Sequence, residues 1–258
     1  MTPGEAAVLA LAGAAAGTIN GAAGGGSLVS FPVLLALGYG SITANVTSTV
    51  GIFTGYVGGV AGYRRELEGQ RDRVRTLLPV TVLGAVAGAA LLLVTPDGAF
   101  DALVPWLILG ACALFAAQPV LARRVAARRE GRAAAAPSGP GDVGLGVRLA
   151  TLVAAAYGAY FGAGLGVILL AVLGIGIEDR LIRLNGLRGV LALVANLVAL
   201  VTFVVVAPVA WAAAGILAAG ALVGGWLGAR GARRLPPEVL RALVIVFGVV
   251  SAVRILVG

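Results

Sequence analysis

Lysine and histidine are absent from this 258-residue chain, and cysteine occurs once, as Cys112. One thiol forms neither an intrachain disulfide nor a cysteine metal cluster. Without histidine there is no zinc site of the usual kind and no His-activated nucleophile. Charge is scarce too: 12% of residues, against roughly 25% in a soluble domain. Hydrophobic residues take its place, at 60% of the chain with a mean hydropathy of +1.02. Such a chain is a membrane protein. At about 20 residues per crossing it holds at most roughly ten short segments and leaves no sizeable domain outside the bilayer.

The 19 basic residues are all arginine and give a net charge of +8. They stand in short clusters between apolar runs, the pattern of cytoplasmic loops and not of a nucleic-acid-binding face. The arginine-only basic set, with Ala, Gly, Val and Leu dominant, points to a GC-rich bacterial gene. The opening MTPGEAAVLALAGAAAG carries Glu5 where a secretory signal would be basic, so it reads as the first membrane element.

Proline, glycine and charge divide the chain into apolar segments near 5–23, 27–38, 43–63, 76–94, 102–122, 146–163, 165–176, 185–206, 209–229 and 239–257. Eight are long enough to cross alone; 27–38 and 165–176 are not, and read as re-entrant pieces. Each short piece follows a glycine-rich break, GAAGGGS at 21–27 and GAGLG at 162–166. The two breaks point to a duplicated unit. Gly17 and Gly21 match Gly158 and Gly162 at an offset of 141, Asn45 and Val50 match Asn185 and Val190 at 140, and Gly84 and Gly88 match Gly220 and Gly224 at 136.

Arginine orients the copies. The 64–75 linker carries Arg64, Arg65, Arg71, Arg73 and Arg75, whereas 95–101 has only Asp97 and Asp101. In the second half the bias reverses: the linker around Ala207-Pro208 is uncharged, and the next holds Arg230, Arg233 and Arg234. With arginine on the cytoplasmic side, the halves lie upside down relative to each other. The regions 5–38 and 146–176 are then helical hairpins broken at glycine, each returning to its own face and followed by three crossings. The expected fold is an all-α polytopic membrane protein of two inverted-topology repeats, 1–125 and 146–258, joined by a cytoplasmic linker at 126–145, with both termini extracytoplasmic. The competing arrangement, eight plain spanning helices with cytoplasmic termini, leaves the later arginine clusters outside.

A helix broken inside hydrocarbon frees backbone groups and is tolerated only where buried in protein or lining a wet cavity. The strongest candidate is Asn20 followed by Gly24, Gly25, Gly26 and Ser27, where a helix starting near Ser27 presents amide donors and its positive dipole end to an anion. Close helix packing is the plainer reading of the glycines, and N-capping that of Ser27. The second break offers Gly164 and Gly166, with Tyr160 read as packing. Asn45, Ser48 and Thr49 share one helical face, expected to point at the glycine break; Asn185 and Arg188 share another. Arg188 is either functional or snorkels to the cytoplasmic surface, and Asn196, two turns deeper, needs a partner helix or a solute. The paired GxxxG motifs read as close helix contacts, and Trp106, Trp211 and Trp226 as interfacial anchors.

The glycine break, its weaker copy, and the ANVTSTVG and RLNGLRGVLALVAN stretches together resemble the TauE/SafE family of sulfite and sulfur-organoanion permeases, across residues 5–257. The second hairpin departs from the pattern, with Gly164-Leu165-Gly166 instead of a glycine triplet and no following proline, whereas the first has Pro32. The resemblance implies transport of small sulfur-containing anions such as sulfite, thiosulfate or organosulfonates. The residues alone show a site of hydroxyls, amides and one arginine without a deep carboxylate, which suits a small oxyanion. Neither a cofactor nor a metal is expected, nor an enzyme activity, since no nucleophile–base pair is present. The expected partners are the anion, the lipid bilayer and a second copy of the chain. An assembly or accessory membrane subunit that only packs against partners stays open as the alternative; it predicts polar residues facing outward.

Overall fold

The computed structural model describes residues 1–22, 24–130, 143–231 and 237–257, some by backbone alone. Most of the expected 126–145 linker, with Arg132, and Arg233 and Arg234 of the later cluster lie outside the described residues. Among the described residues the secondary structure is wholly helical: α1 (Pro3–Ala22), α2 (Ser27–Ala36), α3 (Ser41–Gly62), α4 (Arg71–Val94), α5 (Asp97–Glu130), α6 (Leu145–Tyr160), α7 (Leu165–Gly176), α8 (Leu181–Val206), α9 (Trp211–Gly231) and α10 (Pro237–Val257).

Local chemistry explains the ends. At the start of α1 the Thr2 amide donates to Glu5 Oε2 at 2.8 Å and the Glu5 amide to Thr2 Oγ1 at 3.3 Å, a reciprocal capping box with Pro3 at the first helical position. Several helices run further than the apolar segments foretold. Arg71, Arg73 and Arg75 lie in the first turns of α4, Asp97 and Asp101 in those of α5, and Arg183 in α8, while α5 continues through the arginine cluster to Glu130. Hydropathy marks only the apolar length of a helix; charged turns at its ends reach water and escape that measure.

By length and composition, three helices are apolar enough to cross a membrane: α4, Asp97–Val120 of α5, and α8. Helix α6 stops at its break after 16 residues, and α3 carries polar residues that lower its average. Those polar residues face inward. Asn45, Thr47, Ser48 and Thr49 of α3 are buried, as are Asn20, Ser27, Ser30, Thr81, Thr151, Arg188 and Asn196, whereas Leu11, Leu83, Leu91, Val201 and Val205 are exposed. Polar inside and apolar outside is the arrangement of a chain surrounded by lipid. Trp106 and Trp211 are likewise exposed, and the Trp226 side chain lies outside the described residues.

Packing between the halves follows one scheme. Helix α1 packs on α9 and α6 on α4; α3 packs on α9 and α8 on α4; α3 and α8 pack on each other, as do α5 and α10; α2 meets α10 and α7 meets α5. Exchanging the first five helices for the last five leaves this set of contacts unchanged. Small residues bring the main pairs to backbone contact. A Cβ on Gly84 or Gly88 would overlap the carbonyl oxygens of Leu152 or Ala156 in α6, and one on Gly220 or Gly224 those of Ala10 or Ala14 in α1.

At one end of the bundle the halves are also tied by charge. Asp179, between α7 and α8, pairs with Arg73 of α4 and accepts from Arg183 Nε at 3.0 Å, while Gln70 Nε2 donates at 2.8 Å to the carbonyls of both Glu66 and Arg183. Burial pushes the Asp179 carboxyl up, but hydrogen bonds from Arg73, Arg183 and the Arg180 amide outweigh it and hold it below the ordinary carboxylate range.

Two outcomes follow from this packing. Gly88→Val and Gly224→Val should each lower the unfolding temperature in detergent, at the overpacking cost of about 1–3 kcal/mol. Gly110→Ala, with open space around it, should not; equal behaviour of all three would contradict the backbone contacts. Because the folded carboxyl of Asp179 is depressed, its contribution is fully present above the unfolded value of about 3.9 and is lost as pH falls through the folded one. Asp179→Asn should therefore be less stable than wild type at pH 7, and the two should converge in acid; a difference that is constant with pH would contradict the assignment.

Candidate functional site

The first break is a reversal of the chain. Gly24 takes a φ of 73°, open to glycine, and its amide donates back to the Ile19 carbonyl at 3.1 Å, closing α1. Asn20 Oδ1 then accepts the Gly26 amide at 2.7 Å, stapling the far side of the turn. A Cβ on Gly26 would run into the Ala16 carbonyl, ten positions earlier in sequence, so α2 folds back along α1. A Cβ on Gly25 would occupy the ring of Phe115. Ser27 is not the cap of α2: that position belongs to Gly26, which makes no side-chain cap bond. Its hydroxyl faces the second break instead, 3.2 Å from where a Cβ on Gly162 would lie.

The second break repeats the device, with Gly162 at φ 83° and Gly164 at φ 81°. The Tyr157 hydroxyl donates to the Ala163 carbonyl at 2.8 Å, and Leu165 side-chain atoms close over Gly158, again folding the chain back. The breaks touch. The Gly166 amide donates to the Gly24 carbonyl at 3.4 Å, and the rings of Phe31 and Phe161 meet edge to face at 5.4 Å. Gly164 packs near Ala111 and Leu114 of α5.

The expectation of open amide donors at both helix starts needs correction. The Gly26 amide is taken by Asn20, those of Leu28 and Val29 by the Gly25 and Gly26 carbonyls, and that of Gly166 by Gly24. The α3 polar face is also engaged. Asn45 Nδ2 donates to the Tyr160 carbonyl at 2.8 Å, so it serves the second break and not the first; Ser48 shares a 2.6 Å hydrogen bond with Ser30 of α2; Thr49 bonds back to the Asn45 carbonyl. Tyr160 itself packs edge to face on Phe100, in keeping with a packing role.

Arg188 does not snorkel. It is 4% exposed, and its Nη1 lies 3.9 Å from where a Cβ on Gly24 would sit, so the guanidinium reaches the first break. The hydroxyls of Tyr56 on α3 and of Tyr63, just past its end, are within its electrostatic reach. Asn196 Nδ2 bonds back to the Ala192 carbonyl at 2.8 Å, and the residue is buried against α3 beside Tyr56. Asn185 is only half-buried and donates to its own helix, to the Leu181 carbonyl at 3.1 Å. Its neighbour Gly186 faces Tyr63, Glu66 and Leu67, so Asn185 sits at the level of the α3–α4 connection, and no bond places it at a break.

The structure thus gathers Asn20, Gly24, Gly26, Ser27, Gly166 and Arg188 at one contact, uses Asn45, Ser48 and Thr49 to hold the elements around it, and leaves Asn185 apart. Ser30 and Thr47 were missed by sequence reasoning. Ser30 lies one turn beyond Ser27, a spacing that could have exposed it, whereas Thr47 accepts the Ala210 amide at 3.0 Å near the start of α9, a contact with no local signal. Among the described residues no group of three or more His, Cys, Asp or Glu could hold a metal. An apolar depression of about 520 Å³ between α6 and α7, lined by residues such as Leu149, Val153 and Ile168, contains none of the candidate residues.

A family model described as sulfite exporter TauE/SafE matches residues 9–255. No curated protein and no solved structure matches the chain. With that match spanning nearly all of a chain of apolar helices around a buried polar centre, the protein belongs to the sulfite exporter TauE/SafE family, membrane transporters of sulfur anions.

Proposed function

We propose that this protein carries a small sulfur oxyanion, such as sulfite, thiosulfate or an organosulfonate, across a bacterial cytoplasmic membrane by alternating access. The observation that carries the reading is the buried Arg188 guanidinium at the contact of the two glycine breaks. An arginine at the centre of a membrane helix costs about 2.5–3.5 kcal/mol on insertion scales and is rarely kept without use. Here it supplies charge-assisted bonds to the anion. The positive end of the α2 dipole, Ser27 and Asn20 line the first side, and the turns at Gly24, Gly25 and Gly26 and at Gly164 and Gly166 bring the two sides together rather than supplying open amides. Asn196 extends the polar wall along α8. Asn45, Ser48 and Thr49 act through the frame they hold, and Asn185 lies at the mouth.

The exchange of contacts between the two halves supports a duplicated carrier, and the reversed arginine bias supports an inverted one, with residues 1–125 and 146–258 as its repeats. Transport proceeds as one half rocks against the other about the α3–α8 contact. For an anion inside a negative-inside cell, exit is favoured by about 2.3 kcal/mol per charge per 100 mV, so export needs no coupling ion. The accessory-subunit alternative calls for polar residues on the outer surface, whereas Asn20, Ser27, Asn45, Ser48, Arg188 and Asn196 are buried.

In liposomes, purified wild type should give saturable flux of labelled sulfite, thiosulfate or a sulfonate, and Arg188→Gln should reduce it at least tenfold while still reaching the membrane. A flat response to every anion would overturn the reading. In a Cys112→Ala background, cysteines at Thr2 and Arg123 should react with an impermeant maleimide from opposite sides of the membrane; labelling from the same side would contradict the inverted topology.

A further inference from the structure

Two buried polar atoms flanking the first break have no hydrogen-bond partner among the described residues, Asn20 Nδ2 and the Tyr56 hydroxyl. Their residues are 5% and 4% exposed. An unmet buried donor costs about 1–3 kcal/mol, and within a bilayer there is little bulk water to relieve it. Asn20 does have a structural task, but its Oδ1 performs it by accepting the Gly26 amide, which leaves the amide nitrogen over.

The repeat locates Tyr56. Asn45 and Asn185 are separated by 140 residues, and so are Tyr56 and Asn196. Tyr56 on α3 and Asn196 on α8 are therefore equivalent positions of the two halves, and they lie side by side where those helices pack. Equivalent residues meet only near the axis that exchanges the halves, so this pair marks the centre of the molecule. At the same offset Arg188 corresponds to Ser48, which means one half alone supplies the cation. The neighbours close the circuit: a Cβ on Gly55, the residue before Tyr56, would lie 3.7 Å from Asn20 Cβ, and Arg188 reaches Gly24 and lies within electrostatic range of Tyr56.

We propose that Tyr56 and Asn20 are specificity-determining donors of the anion site, which with Arg188 offer hydrogen bonds from three directions and so select a pyramidal three-oxygen head group, SO3, over a planar carboxylate of equal charge. This rests on the transport reading above and names the substrate class of that site. A carboxylate has two coplanar oxygens and leaves one buried donor unmet, the situation in which hydrogen-bonding sites discriminate most strongly.

Methanesulfonate and acetate, alike in charge and in their methyl group, are the probes. Wild-type protein in liposomes should prefer methanesulfonate. Tyr56→Phe should raise its KM about tenfold or more, leave acetate competition unchanged and so narrow the ratio. Asn20→Asp, which keeps the Oδ1 acceptor and removes the donor, should fold and lose the preference. A second readout separates binding from structure. Without anion, Tyr56→Phe should unfold at the same or a higher temperature than wild type, since the hydroxyl it removes lies beside Asn196 but completes no well-aligned hydrogen bond among the described residues, while the upward shift that methanesulfonate gives wild type should shrink. A Tyr56→Phe protein that is less stable without anion, or that keeps both the preference and the full shift, would overturn the inference. If wild type transports no oxyanion, the transport reading fails, and the ligand-induced shift alone then decides the assignment of Tyr56.

Discussion

A guanidinium held away from water in a lipid-surrounded bundle is the constraint on which this architecture turns. Arg188 does not snorkel, and the fully buried polar residues around it in the bundle are neutral among the described residues. It reaches the main chain at Gly24 and lies near Tyr56 and Tyr63, and open main chain exists at that depth only because two helices break there. The breaks in turn need glycine. Gly24, Gly162 and Gly164 adopt left-handed φ values, and the Gly24–Gly166 approach leaves almost no room for side chains between the strands of backbone. Glycine is thus used twice, to turn the chain and to let one turn lie against the other.

The same economy holds the halves together. Helix pairs α1–α9 and α4–α6 touch backbone to backbone through GxxxG glycines, so each half embraces the other. Such contacts are stiff. The weaker ties between the halves are the 3.4 Å Gly166–Gly24 bond at the centre and the Asp179 cluster at one end.

Much of this was legible in the sequence because the signals are local. Both breaks fall where glycine density and the short following segments placed them, with α2 and α7 beginning at Ser27 and Leu165. The GxxxG motifs read as close contacts, and they are. What failed was direction. The face of Asn45, Ser48 and Thr49 is real, but periodicity fixes only which residues share a face and not which neighbour the face meets; Asn45 turned out to serve the opposite break. Arg188 and Asn185 share spacing and depth in sequence, yet one is buried at the centre and the other sits at the rim, a difference set by the packing of α3 on α8. Tyr56 stood out in no motif. It became visible only when the 140-residue offset was laid over helices known to touch. The plainer reading of Ser27 as a cap, the ordinary meaning of a serine ahead of an apolar run, does not hold, because the preceding glycine takes that place.

The central claim is that an anion binds at the meeting of the two breaks, against Arg188. Selenite, which shares the pyramidal shape of sulfite and carries an anomalously scattering atom, tests it most directly. Crystals of the protein grown with selenite should show a selenium peak within hydrogen-bonding reach of the Arg188 guanidinium, between Gly24 and Gly166. A peak elsewhere in the bundle, or none there at saturating selenite, would contradict the account.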